Sequence, residues 1–319
     1  MGTVMAVLLC EKNIPVRMWG YDAEQLRQIA HLRENRKFLP GYKLPEEIVF
    51  EPDDKLIMTD ADLIVSAVPC QFMRRIWNRL KDYVPDKVPI VSVAKGIEND
   101  TLLCPTQILA DVLGDGLRYA TLSGPTIADE LARKLPATAC AACENKQLAE
   151  KIQRTFNVPW LRIYTNTDIV GVELAGAMKN IIAIAAGITD GTGAGDNAKA
   201  ALLSRGLAEI TRLGTACGAK PQTFAGLTGL GDLVTTCISP KGRNRSFGER
   251  IGKGQSVEQA QKATESVIEG AATCESVVAL AKQLNVEMPI TQAVYEILFE
   301  NKPVQKAISD LMKRQLKAE

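Results

Sequence analysis

Apolar and polar positions follow two different rhythms along this chain, and the change falls near residue 165. Before it, short apolar runs alternate with stretches of helical period. Ile14–Trp19, Asp62–Pro69 and Pro89–Ala94 read as buried strands, with Arg118–Ser123, Thr138–Ala142 and Leu161–Tyr164 as further candidates. Helices are predicted at Val4–Glu11, Ala23–Arg36, Gln71–Lys81 and Thr101–Leu113, while Asn35–Pro45, with two prolines and a glycine, reads as a loop. Such alternation predicts an α/β fold with a doubly wound, largely parallel sheet. After residue 165 only the helical period remains, at 168–190, 197–217, 256–263, 271–284, 290–300 and 303–315. Two domains are expected: 1–165 of α/β type and 166–319 all-α.

Within the second half, Val170–Gly195 stands apart. Its apolar residues go most of the way round the predicted helix, which marks a helix packed on all sides. Lys179 sits in the middle of it. A buried ammonium is costly unless paired and responds by lowering its pKa; the alternative is a lysine whose stem is buried while its head snorkels to water. The glycine-rich exit, Gly187 to Gly195, suggests backbone brought close to another group, with Lys179 beside it.

Composition narrows the function classes. Lys plus Arg number 38 against 37 for Asp plus Glu, a balance that points to neither nucleic acid nor a membrane surface. No unbroken apolar run is long enough to predict a membrane span, and no signal-peptide pattern opens the chain. The eight cysteines are scattered, and the single CxxC, Cys140–Cys143, lies in an apolar run where both thiols read as small core residues. With His31 the only histidine, and that one in an exposed helical setting, no metal site and no His-dependent nucleophile is expected. Reduced thiols and a cytoplasmic location are the expectation.

Candidate chemistry lies at strand ends and in two glycine-rich segments. Only Gly2 and Asp22 could belong to a dinucleotide fingerprint, with Gly2 before a helix and Asp22 about 20 positions on. Lys95 follows a predicted strand and precedes Gly96, which would present a cation at a strand's carboxyl end; a surface lysine opening a loop is the alternative. Ser123-Gly124-Pro125-Thr126 follows another strand. Further on, Gly226 to Asp232 precedes Thr235-Thr236-Cys237, and Arg243-Asn244 lies just ahead of a predicted helix, Phe247–Gly252. Guanidinium donors at a helix N-terminus suit a phosphate, although Arg243 or Arg245 could equally be solvated.

Together these stretches resemble the NAD(P)-dependent sn-glycerol-3-phosphate dehydrogenases. The motifs that carry the resemblance are WGYD (19–22), FLPGYKLP (38–45), VPCQF (68–72), SVAKGIE (92–98), LSGPTIADEL (122–131), GVELAGAMKNIIAIAAG (171–187), GLGDLVTTC (229–237), GRNRSFG (242–248) and VIEG (267–270), in family order over nearly the whole chain. The resemblance implies a Rossmann-like first domain and a reversible hydride transfer between NAD or NADP and dihydroxyacetone phosphate, giving sn-glycerol 3-phosphate for glycerophospholipid synthesis. It implies that Lys179 exchanges the proton at the substrate oxygen, that Lys95, Gly124, Thr126, Asp232, Gly242, Arg243 and Asn244 bind substrate, and that Gly2, Tyr21, Lys95, Ala128, Arg243, Val267 and Glu269 bind the cofactor. A homodimer is expected.

This chain departs from the family in two places. Gly242 stands where a serine is common. Members also begin with a strand and two glycines ahead of the position matching Met1. Without them, Val16–Trp19 and Leu63–Ala67 are expected to flank a slot of about 9–10 Å, twice the usual strand spacing, with weak cofactor binding and poor solubility. About ten further residues supplying that strand should restore both. A non-catalytic relative acting as a binding module, or a related two-domain 2-hydroxyacid or ketopantoate-type reductase, are the other readings. For a 2′-phosphate, Arg17 and Arg27 are the basic residues within reach.

Overall fold

The computed structural model describes residues 1–115, 118–264 and 267–316. The chain divides into two compact units: Met1–Ala94 with Pro105–Ile169, and Lys95–Cys104 with Val170–Glu319.

In the first unit, helix α1 (Gly2–Cys10) leads to strand β1 (Val16–Met18) and helix α2 (Ala23–Leu32). Asp22 starts α2 by accepting the Glu24 and Gln25 amides at 3.0 and 3.1 Å. Arg33, in the left-handed region at φ 49°, stops it short of the expected Arg36. The expected loop at Asn35–Pro45 is a hairpin, β2 (Glu34–Asn35) antiparallel to β3 (Leu39–Lys43). Strand β4 (Ile48–Phe50) was not foreseen, because three residues flanked by acidic side chains carry no readable period. There follow α3 (Asp54–Met58), β5 (Ile64–Ser66), α4 (Cys70–Leu80), β6 (Pro89–Ser92), α5 (Pro105–Leu113), β7 (Arg118–Ser123), α6 (Ala128–Ala132), β8 (Ala137–Ala142), α7 (Lys146–Phe156) and β9 (Leu161–Asn166).

Among the described residues the main sheet runs β5-β6-β7-β8-β9; every neighbouring pair is parallel except β7–β8, which is antiparallel. The parallel pair β1–β4 forms a separate sheet, so Val16–Trp19 and Leu63–Ala67 are not bonded to each other. Val91, Ala120, Leu122, Ala139 and Ala141 bury the sheet face against Val4, Met5 and Leu8 of α1 and Ile152 and Phe156 of α7. Cys140 and Cys143 are buried free thiols, the first pushed up to about 11 by burial, and His31 is exposed.

Among its described residues the regular structure of the second unit is all helical, and Lys95–Cys104 is an irregular loop with a turn at 99–101. Its helices are α8 (Ile169–Gly191), α9 (Asp196–Ala216), α10 (Pro221–Ala225), α11 (Asp232–Ile238), α12 (Arg243–Gly252), α13 (Val257–Lys262), α14 (Glu269–Gln283), α15 (Pro289–Phe299) and α16 (Val304–Met312). By length and apolarity α8 could cross a membrane, yet 89% of its most apolar window is packed inside the unit. Glu209 of α9 is 2% exposed and accepts the Ile290 and Thr291 amides at 2.6 and 3.2 Å, so a buried carboxylate caps α15.

α8 and α12 meet backbone to backbone. A Cβ on Gly187 or Gly191 would overlap the carbonyl oxygen of Arg245 or Glu249, and one on Gly248 or Gly252 that of Ile184 or Ile188. Gly187 and Gly191 are four residues apart, as are Gly248 and Gly252, so each pair forms a stripe one turn long on its helix. The seam sets where the N-terminus of α12 comes to lie.

Gly248→Ala should therefore destabilise the protein by about 1–3 kcal/mol through overpacking, despite the roughly 1 kcal/mol by which alanine is the better helix former. Chemical denaturation checks this; a midpoint unchanged or raised would show that the helices can separate freely.

Candidate active site

Lys179 lies midway along α8 and is 6% exposed. Its Nζ donates to Asp232 Oδ1 at 2.6 Å and to Thr236 Oγ1 at 2.5 Å. On the other side of the same carboxylate, Lys95 Nζ donates to Oδ2 at 2.5 Å. Asp232, 2% exposed, is thus bridged by two ammonium groups.

Local sequence explains how these groups converge. Gly226 to Gly231 forms a π-helical turn, with the Gly231 amide donating to Gly226 O at 3.2 Å, five residues back. Only a glycine fits at 229, where a Cβ would overlap the Phe224 carbonyl oxygen. The wider turn delivers Asp232 as the first residue of α11, and Thr236, one turn on, shares its face. Lys95 is held by its own segment: Ile97 is fully buried in the helical core, and Ser276 Oγ of α14 donates to Ile97 O at 2.9 Å.

Burial pulls Lys179 down from its ordinary 10.5 to about 8; Asp232 opposes the shift and Lys95 adds to it. The lysine is therefore buried and paired, and the snorkelling alternative falls. Nearby Cys237 is pushed up to about 12 by burial, so its thiol stays protonated near neutral pH.

A second group sits at the start of α12, which begins at Arg243 rather than at Phe247, so Arg243 and Asn244 are its first residues and Gly242 its cap. No side chain caps those amides and no acid lies in the first turn. Asn244, 8% exposed, accepts the Gly270 amide at 3.0 Å through Oδ1. Gly270 itself lies against Asn180 O, where a Cβ would come within 2.7 Å, so α8, α12 and α14 converge next to Lys179. Glu269 is the first residue of α14, and Val267 just before it is 50% exposed. Arg243 is exposed and makes no ion pair among the described residues, whereas Arg245 is held by Asp190 at 2.6 Å and Glu249 at 3.2 Å. The two arginines that sequence left equivalent are thereby told apart. A Cβ at Gly242 would sit 3.0 Å from Thr236 O, so a serine there would press on α11.

The remaining candidates belong to the first unit. Gly2 is the first residue of α1, and a Cβ on it would meet Ala67 Cβ at 3.0 Å. Tyr21 is 54% exposed at the end of β1. Gly124, at φ 137°, follows β7 with its Cβ position 3.0 Å from Ala139 Cα; Thr126 Oγ1 donates to Gly124 O at 3.1 Å. Ala128 opens α6. Ser123 Oγ is the one buried side-chain oxygen left without a partner among the described residues. Thr236 was missed as a site residue; its spacing of four from Asp232 on a helix was the available signal.

The family model of the NAD-dependent glycerol-3-phosphate dehydrogenase N-terminus matches residues 1–149, and that of its C-terminus residues 168–309. A glycerol-3-phosphate dehydrogenase (NAD(P)+) of Chlorobium phaeobacteroides (strain BS1) is 47% identical over 100% of this chain and 96% of its own. A crystal structure of glycerol-3-phosphate dehydrogenase from Coxiella burnetii superposes with a TM-score of 0.94 at 37% identity, over 98% of this chain and 96% of that one. A ketopantoate reductase from Ralstonia eutropha shares the fold alone, at 13% identity and a TM-score of 0.59 over 95% of each chain.

The charge arrangement makes a direct prediction. Lys179, observed by NMR of carbon-labelled lysine, should titrate near 8. Asp232→Asn should lower that midpoint and Lys95→Met raise it, since each removes one of the opposing charges. A midpoint that neither substitution moves would mean that the three groups are not coupled.

Proposed function

Since the chain belongs to the NAD-dependent glycerol-3-phosphate dehydrogenase family, we propose that it interconverts dihydroxyacetone phosphate and sn-glycerol 3-phosphate with NAD(P) as cofactor. The observation that carries this reading for the chain's own residues is Lys179, a buried ammonium titrating near 8 beside a second lysine.

The first unit fits a dinucleotide. α1 starts at a glycine, has no capping side chain and no acid in its first turn, so its leading amides are available to a pyrophosphate. Gly2, Tyr21 and Ala128 are its cofactor residues, with Lys95, Arg243, Val267 and Glu269 the second unit's share. A bound nicotinamide supplies the hydride to the substrate's C2 in reduction and accepts it in oxidation.

The protein's own groups handle the proton. In reduction, protonated Lys179 gives its proton to the C2 oxygen as negative charge develops there. In oxidation, neutral Lys179 removes the hydroxyl proton. A midpoint near 8 keeps both forms accessible close to neutral pH. Asp232 and Thr236 hold Nζ in place. Lys95, Gly124, Thr126, Asp232 and Asn244 are the proposed substrate contacts, and the open amides of α12, with Gly242 as cap and Arg243 as counter-charge, bind the phosphate. Expression as an intracellular homodimer belongs to the same proposal.

Lys179→Ala should leave the fold intact and lower kcat on the order of 10²–10⁴-fold in steady-state assays; near-normal kcat would remove Lys179 from the proton step. Arg243→Ala should weaken dihydroxyacetone phosphate about 10–100-fold and barely affect unphosphorylated dihydroxyacetone. Equal losses for the two substrates would show that Arg243 does not read the phosphate.

A further inference from the structure

Among the described residues, Arg17, Arg27 and Arg79 are each engaged with backbone carbonyls or a carboxylate. Arg17, a basic residue that sequence placed within reach of a 2′-phosphate, donates to Leu56 O and Thr59 O. Arg27, the other, is paired with Glu24 at 2.8 Å. Arg79 of α4 lies over the Trp19 ring at 5.3 Å and holds Asp54 through two hydrogen bonds of 2.6 and 2.9 Å. Arg75, one turn earlier on α4, differs. Its guanidinium carbon lies 5.5 Å from the centre of the Tyr21 ring, and its Nη2 donates to Tyr21 Oη at 2.9 Å. Among the described residues it has no carboxylate partner.

Position gives this free cation its meaning. In doubly wound sheets a ligand lies at the carboxyl ends of the parallel strands, and the residues about 20 positions beyond the glycine turn meet the adenosine ribose. Tyr21 and Asp22 occupy that place, counted from Gly2. An acid there ordinarily receives the ribose 2′-hydroxyl. Here Asp22 Oδ1 is already engaged as the N-cap of α2, accepting two of its amides. The guanidinium lying over Tyr21 keeps most of its donors free, and the ring and hydroxyl of that exposed side chain hold it in position. A neutral hydroxyl needs no such cation. A phosphate does.

We infer that Arg75, oriented by Tyr21, receives the 2′-phosphate of NADP and makes this chain prefer NADP over NAD. The inference rests on the proposed dehydrogenase reading, which requires a dinucleotide but does not choose between the two. Arg75 acts here as a specificity residue and takes no part in hydride or proton transfer.

The test uses the full chain and two fragments of the cofactor, 2′,5′-ADP and 5′-ADP, with affinities measured by calorimetry at fixed ionic strength. The native protein should bind 2′,5′-ADP on the order of 10–100-fold more tightly than 5′-ADP, the range expected of a charge-assisted hydrogen bond to phosphate. In Arg75→Met, which keeps a flexible stem against Tyr21, the ratio should fall to within about twofold. Tyr21→Leu should reduce the ratio less, because the cation remains but loses its fixed orientation. Equal binding of both fragments by the native protein, or a ratio that survives Arg75→Met, overturns the assignment alone. Binding of neither fragment overturns the dinucleotide reading together with it.

Discussion

One carboxylate, Asp232, lies between two ammonium groups in a place nearly closed to water. Removing three charges from water costs several kcal/mol per ion unless their mutual attraction and hydrogen bonds return it. A buried pair by itself is weak evidence of stabilisation, but this arrangement does something a neutral core could not. Two cations share one anion, so the site carries a net positive charge, and the more buried cation responds by loosening its proton. Burial is the larger cause of the fall to about 8, Asp232 limits it, and Lys95 deepens it. The same surplus of positive charge suits an anionic substrate and an oxygen gaining electron density.

That charge arrangement depends on backbone geometry which side chains do not supply. Glycines 187, 191, 248 and 252 let α8 and α12 approach until the carbonyls of one meet the Cα atoms of the other. The approach fixes the open amides of α12 relative to Lys179, with Asn244 tied across to Gly270. A further lock closes the far end of the seam, where Asp190 of α8 is shared between Arg245 of α12 and Lys199 of α9, at 2.6 and 2.9 Å. Of the two arginines in Arg243-Asn244-Arg245, one therefore maintains the helix pair and the other is left to meet a ligand.

The first unit applies the same logic to cations at its surface. What separates Arg75 from Arg17, Arg27 and Arg79 is the supply of acceptors around each. Carbonyls, Glu24 and Asp54 satisfy the latter three, while Arg75 has the ring and hydroxyl of Tyr21, which orient a guanidinium without neutralising it. Availability of charge, more than its presence, distinguishes a binding residue from a structural one.

Patterns of local origin could be read from the chain alone. α8, α9, α14 and α15 lie within a residue or two of where their 3.6-residue period put them, and β7 runs over the expected Arg118–Ser123, because periodicity registers which face of an element is buried. The motif around Lys179 likewise announced a lysine inside an apolar helix. Elements too short for a period escaped: β4, the β2–β3 hairpin and the π-helical turn before Asp232 are set by partners elsewhere in the fold. Lys95 and Asp232 are 137 residues apart and share no local signal, so only the packed helical unit could make them an ion pair. Thr236 became a site residue, Arg243 a free cation and Arg245 a structural one for the same reason. A side chain's pKa and its freedom to bind depend on which charges and acceptors lie within a few ångströms, and tertiary structure alone decides that.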